Sequence, residues 1–412
     1  MKLNVLRSDL LHALESAAKF GRYRNGVAYH SQVIFELGDS HVTTRIQIVT
    51  FSLCSRKVTC AHSVLAKLTS MDGPTVGMVD PEALLLAVKG CESEVLSIEV
   101  TSENTVRVEG GPFSVVIPTE SGGERIEMID VEPTHRVLID VASFREALRI
   151  SKYNLSDDDH DPWRSVRDMF LRIGNDVIRV FSTDGRRGAH VPIYRADIPD
   201  GLHGIDVPVA RRLVLALLQH LERKRGKRGK RGDGQESGSN RVELLIDTDK
   251  ETAALRHETE SVSVYASFGL KGDECLDLTE ITRNDYKHVI KVYCAPFIDA
   301  LQALIKAAQW RSTEECKRGL DMTFDDDGLR LTIDKVNVSC ASSTRIVKGG
   351  KGLKVRINPK YLLEGIKALK ETGDTTILMC VEDQYEGVVL TQEGAGPLMD
   401  RTFIIVMPMV PR

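Results

Sequence analysis

The sequence predicts an α+β protein in which one unit, two helices laid on antiparallel sheet, is repeated three times. Three observations carry this. A strand-then-amphipathic-helix segment occurs three times, a second helix with a proline near its start follows each one, and the stretches between them alternate apolar and polar residues.

The leading segments are LNVLRSDLLHALESAAKF (3–20), RVLIDVASFREALRISKY (136–153) and HVIKVYCAPFIDALQALIKAAQW (288–310). Leu10, Ala13 and Leu14 correspond to Phe144, Ala147 and Leu148, and then to Phe297, Ala300 and Leu301. Positions i, i+3 and i+4 share one helical face, so each set forms a core-facing stripe. The second helices are VDPEALLLAVKG (79–90), DVPVARRLVLALLQHL (206–221) and INPKYLLEGIKALK (357–370). Pro81, Pro208 and Pro359 fall near the first turn, where a missing N–H is no loss. Asp80 and Asn358 are suited to N-cap the first and third.

Between the helices lie runs such as VIFEL, VLSIEV, TVRVEG, FSVVIP, MFLRIG, VIRVFS, VELLID, LRLTID, TILMCV and GVVLTQ. They are rich in β-branched residues and bounded by Gly, Asp and Asn, which reads as strands and hairpins. The expected domains are 1–130, 131–280 with a basic, Gly-rich insertion at 223–240, and 281–412.

Composition sets limits. With 412 residues, 42% apolar and 28% charged, the chain can form two to four cores at roughly 100–200 residues each. No apolar run is long enough for a membrane span. Arg7 and Asp9 interrupt the stretch a signal peptide needs, so a cytoplasmic location is expected. Eight scattered cysteines without a CxxC pair argue against a structural zinc site or a disulfide framework.

The net charge is −4, but it is unevenly placed. The six helical segments are together strongly positive and the rest of the chain is correspondingly negative. If the helices share a face, that face attracts a polyanion. The alternative is that Lys and Arg are simply good helix formers on solvated faces. Residues 223–231, RKRGKRGKR, hold seven Lys/Arg in nine positions. They read either as a solvated loop or as an accessory phosphate-binding arm.

These features resemble a known family, the bacterial DNA sliding clamp, the β subunit of DNA polymerase III. The opening MKLNVLRSDLLHALESAAK, the segment FSTDGRRGAHV (181–191), the helix INPKYLLEGIKAL (357–369) and the ending FIIVMPMVPR (403–412) carry the resemblance, which spans nearly the whole chain. It implies three clamp domains per chain and two chains closed head to tail around duplex DNA. The DNA would be held without sequence preference, through phosphate contacts. Arg24 matches a family position near DNA. Arg149, Lys152, Arg211, Arg212, Lys367 and Lys370 are further candidates from helix location. For ring closure, Phe113 and Val115 resemble the family's first-domain edge, with ordinary core packing as the alternative. Leu304 or Ile305 would oppose them.

The resemblance also implies a peptide pocket for a short hydrophobic motif of polymerases, clamp loader and repair proteins. Its lining would be Val166, Thr183, Gly185, Arg186, Arg187, Tyr361, Tyr385, Gly387, Val406, Met407, Pro408 and Met409. Met adapts to varied apolar anchors and Tyr offers an amphipathic wall. Terminal-strand core packing is the other reading of Met407 and Met409. The sequence departs from the family at Arg186, usually His, at Gly188, commonly Leu, in ECLDLTEIT (274–282), and in the Val410-Pro411-Arg412 end.

No catalytic constellation stands out. Asp157-Asp158-Asp159-His160 reads as metal ligands or a solvated acidic loop, and Asp325-Asp326-Asp327-Gly328 as a hairpin turn. GxxxxGK[ST], HExxH and GxSxG are absent. No cofactor or metal is expected. The expected function is therefore a non-catalytic tether. The alternative is a divergent clamp paralogue acting as a peptide-binding adaptor in repair or on a mobile element. An enzyme using Asp157–His160 comes third.

Overall fold

A computed structural model describes residues 1–21, 29–36, 43–52, 58–72, 76–119, 128–156, 166–222, 240–271, 275–309, 319–325, 328–333, 336–339, 343–350, 352–394 and 396–409. Arg24, the acidic stretch 157–160, the basic run 223–231 and Asp326–Asp327 lie outside them. Six helices are described: α1 (Arg7–Gly21), α2 (Pro81–Gly90), α3 (Val141–Ser151), α4 (Arg211–Leu221), α5 (Cys294–Gln309) and α6 (Pro359–Glu371). All strand pairing among the described residues is antiparallel, giving the expected α+β class.

The helix starts follow local chemistry. The Asp80 carboxylate accepts from Ala83 N at 2.8 Å, and Pro81 opens α2. The Asn358 side chain accepts from Lys360 N at 2.9 Å, and Pro359 opens α6. Leu10, Ala13, Leu14, Phe144, Ala147, Leu148, Phe297 and Leu301 are all buried as the stripe predicts. Only Ala300 is half-buried. Pro208 corrects the expectation for the middle repeat. It sits in strand Ile205–Ala210, opposite Phe170, and α4 begins only at Arg211. That strand is the outermost of its sheet. A proline is tolerated on an edge strand because its missing N–H need not face a neighbour.

The chain forms two compact units, 1–145 with 195–202 and 212–271, and 146–194 with 203–211 and 272–412. The division passes through the middle repeat. In the first unit a sheet runs from the middle repeat into the first. Strand Val262–Gly269 pairs with Val58–Ser70, placing Val264 opposite His62 and Ala266 opposite Cys60. The Thr59 and Ser267 hydroxyls meet at 2.7 Å across that seam. The core under α1 and α2 includes Leu3, Val5, Leu10, Leu14, Phe35, Leu84, Val88 and Ile98.

In the second unit the order is Ile205–Ala210, Asp168–Ile173, Ile178–Thr183, Arg187–Ile193, Phe403–Val406, Val388–Gln392, Thr376–Val381, His288–Tyr293 and Thr344–Lys348. Strand Phe403–Val406 is thus flanked by the middle repeat on one side and the third on the other. A smaller sheet orders Val336–Ser339, Gly328–Ile333, Leu320–Asp325 and Lys354–Ile357. Among the described residues no helix is long and apolar enough to cross a membrane.

Candidate functional site

The FSTDGRR segment builds a tight turn between strands Ile178–Thr183 and Arg187–Ile193. Asp184 accepts from the backbone N–H of Arg186 and of Arg187, each at 2.9 Å. The Thr183 hydroxyl donates to the Arg187 carbonyl at 2.7 Å and accepts from Gly185 N at 3.0 Å. Gly185 has φ +78, a conformation glycine reaches without steric cost.

The turn aims Arg187 at α6. Its Nε donates to Asp184 at 3.0 Å, its Nη1 to Glu364, and its guanidinium lies 4.3 Å from the Tyr361 ring centroid. Side-chain exposure is 12% for Arg187, 12% for Asp184 and 23% for Glu364. The group is therefore fixed by two carboxylates and a ring in a poorly solvated place.

The last described strand continues past this turn. Met407 N donates to the Arg186 carbonyl at 2.9 Å, Pro408 bridges Ile357, and Met409 N donates to the Arg356 carbonyl at 2.7 Å. A Cβ at Gly387 would lie 3.4 Å from Met407 Sδ, and one at Gly185 would lie 3.8 Å from Val166. Val166, Thr183, Gly185, Arg186, Arg187, Tyr361, Gly387, Met407, Pro408 and Met409 are thus brought into one neighbourhood. Tyr385 is 72% exposed on the loop leading to Gly387. Val406 is fully buried, so it can offer only its backbone.

The segment after residue 274 is locked across the same sheet. Arg172 donates to Asp206 at 2.8 and 3.0 Å and to Asp277 at 2.6 Å. These contacts hold its pKa above even the ordinary arginine value. Leu278, Cys275 and Tyr286 pack with Phe170, Phe181, Phe403 and Ile405. Burial pushes the Cys275 thiol up to about 12.

The cationic candidates differ in availability. Lys152 Nζ lies 3.7 Å from Glu371 and 4.6 Å from the Tyr153 ring centroid. Arg212 donates to the Phe20 carbonyl at 3.4 Å, serving the C-terminal turn of α1. Arg149 and Arg211 are half-buried. Lys367 is half-buried and Lys370 exposed, one turn apart on α6. Among the interface candidates, Phe113 and Val115 are half-buried on strand Phe113–Pro118, the last of its sheet. The Phe113 ring leans on Gly90, where a Cβ would come within 2.6 Å of it. Of the two opposing candidates, Leu304 is fully buried within its own chain and Ile305 is half-buried.

One cluster had no sequence signal. His12 on α1, His62 on strand Val58–Ser70, His220 on α4 and His257 on strand Thr252–Glu258 stack in the first unit. Ring centroids are 5.8 Å apart for His12–His220, 5.9 Å for His62–His220 and 5.2 Å for His220–His257. His220 Nε2 and His257 Nδ1 share a hydrogen bond of 3.0 Å, and His12 Nε2 donates to the His220 carbonyl at 3.0 Å. Burial first, and then the neighbouring His12, lower the pKa of His62 to about 3. Among the described residues no group of three or more His, Cys, Asp or Glu is placed to hold a metal ion.

No family model and no curated protein matches this sequence. Solved structures do. The β subunit of DNA polymerase III from Thermotoga maritima is 14% identical, with a TM-score of 0.74 over 99% of both chains. The DNA polymerase III subunit β of Pseudomonas aeruginosa is 16% identical, with a TM-score of 0.72 over 99% of this chain and 100% of that one. The Helicobacter pylori β clamp, solved with a DNA ligase peptide, is 14% identical, with a TM-score of 0.68 over 100% of both. From one end to the other, the chain has the fold of the bacterial DNA sliding clamp.

Proposed function

We propose that the chain is a DNA sliding clamp: three clamp domains, 1–130, 131–280 and 281–412, in a homodimeric ring around duplex DNA that tethers a polymerase to its template. The observation that carries this reading is the match to clamp structures over the full length of both chains. The protein does no chemistry of its own and works in the cytoplasm. Enclosure keeps a dissociated polymerase at high effective concentration beside the strand it left. Closure joins the edge carrying Phe113 and Val115 to the surface around Ile305 of a second copy. Partners dock by a short hydrophobic motif in the groove of Thr183, Arg187, Tyr361, Met407 and Met409. The reading is tested by the solution mass and by retention on nicked circular DNA. A dimer that stays on circles and is lost on linearisation is expected. Equal loss from both forms overturns it.

Two further outcomes follow. Met407→Ala with Met409→Ala should weaken binding of a hydrophobic clamp-binding peptide by about tenfold and leave the solution mass unchanged. Fluorescence polarisation checks this, and unchanged affinity counts against the groove. Lys367→Glu with Lys370→Glu, present twice in the dimer, should shorten DNA retention and lower its log–log salt slope by about 4. These lysines are better probes than Arg212, whose loss would also disturb α1. An unchanged slope counts against this face meeting DNA. A second reading, a peptide-binding adaptor that does not encircle DNA, is favoured by the engagement of Lys152 and Arg212 within the chain. A monomer that binds the peptide but leaves circles freely would establish it.

A further inference from the structure

We infer that Leu278, on the segment leading into strand His288–Tyr293, supplies the apolar wall of the peptide groove that would otherwise come from a side chain at position 188. The inference rests on the peptide-groove reading above and adds which residue sets the size of its apolar subsite.

Gly188 lies in a row of the sheet between Thr183 and Ile405, its partners on either side. Paired residues on antiparallel strands point to the same face. A side chain at 188 would therefore rise between those of Thr183 and Ile405, beside the turn that carries Gly185. That volume is taken by Leu278. A Cβ built on Gly188 would stand 2.7 Å from Leu278 Cδ1 and 3.3 Å from its Cδ2. A leucine at 188 therefore cannot be added without displacing the Leu278 methyls. The glycine is what lets the segment approach the strand.

Leu278 is also held in place. It is 6% exposed and packs with Phe181 and Ile405. Asp277, the residue before it, is gripped by Arg172 at 2.6 Å. Thr279, the residue after it, donates its N–H at 2.9 Å and its hydroxyl at 2.5 Å back to Asp277. Farther along, Arg283 makes two bonds to Glu386, at 3.1 and 2.6 Å, beside Gly387. A side chain pinned on both flanks behaves as a fixed wall and loses little further entropy when a ligand meets it. The occupant is an aliphatic side chain of a linear peptide, since Leu278 and the Phe181 and Ile405 side chains it packs with are apolar.

The test uses the full-length protein and, as probe, a fluorescent copy of the DNA ligase peptide carried by the Helicobacter pylori clamp. It is read at a temperature at which circular dichroism shows every variant folded. Leu278→Ala should weaken binding about tenfold, and Gly188→Leu alone should do likewise by collision. The double variant G188L/L278A, which moves the leucine onto the strand, should bind within about threefold of the parent. Recovery in the double variant is a result that general loosening of the fold cannot produce. If M407A/M409A loses binding while L278A keeps it, or if the double variant is no better than its parents, the wall assignment is overturned and the groove stands. If M407A/M409A also binds as the parent does, or the parent itself does not bind, the groove reading falls and this inference with it.

Discussion

Replacing Arg187 by methionine should remove about 3–5 kcal/mol of stability from the unit that carries it. Arg187 is the shared partner of Asp184 and Glu364, and all three side chains are less than a quarter exposed. Methionine keeps much of the apolar stem but takes the guanidinium from both carboxylates, leaving Glu364 only the more distant Lys360 Nζ at 3.9 Å. It also removes the guanidinium from the Tyr361 ring. Urea titration of the parent, R187M, E364Q and the R187M/E364Q pair would measure the effect. The double variant should recover part of the loss, because one uncompensated charge disappears. Lysine should not substitute. It has one point charge where the site uses a planar fork, two carboxylates and a ring face. A stability change below about 1 kcal/mol for R187M would mean that the pairing is solvated and incidental.

The second large effect is acid lability. His62 is fully buried and its pKa is lowered to about 3, by burial first and then by His12. His190 is lowered to about 4, chiefly by burial, although its Nδ1–H donates to the Arg401 carbonyl at 3.2 Å. Both imidazoles hold a proton less firmly folded than unfolded, so the unfolded chain takes up the excess protons. Their contribution to stability is complete above about pH 6.5 and is lost progressively as the pH falls toward 4 and 3. At pH 5 the loss is about 2 kcal/mol for each imidazole. His62 lies in the first unit and His190 in the second, so both units should weaken. Urea midpoints at pH 7.5 and pH 5 check the sum. His62→Gln and His190→Gln should each reduce the difference between the two midpoints. Equal midpoints at both pH values in the parent would contradict the burial of these rings.

Much of this architecture was legible because its signals are local. Asp80 and Asn358 read as caps from their place before Pro81 and Pro359. The runs 105–110, 113–118 and 376–381 alternate as strands, and the structure places strands there. TDG and the Met407-Pro408-Met409 segment point to residues that the structure brings together around the Arg187 turn. What escaped depends on contacts between distant segments. Pro208 reads like its counterparts until the neighbouring strand shows it to be on an edge. Leu304 and Ile305 differ by one helical step of about 100°, enough to exchange a buried side chain for a half-buried one. Lys152 looks like a free cation until Glu371 is brought to it. The four histidines are scattered through the sequence, and the exchange between Gly188 and Leu278 crosses two elements. No period or spacing announces either.

The placement of strand Phe403–Val406 has a consequence for synthesis on the ribosome. Strand Arg187–Ile193 is complete near the midpoint of the chain, yet the neighbour that satisfies its outer edge is encoded far downstream. Through the second half of elongation the nascent polypeptide carries an apolar strand with unmatched amides and carbonyls, a template for mispairing with other chains. The last sheet can close only by a contact of very long loop, which is entropically slow. Folding yield should therefore respond to chaperone supply and expression temperature more than native stability alone implies.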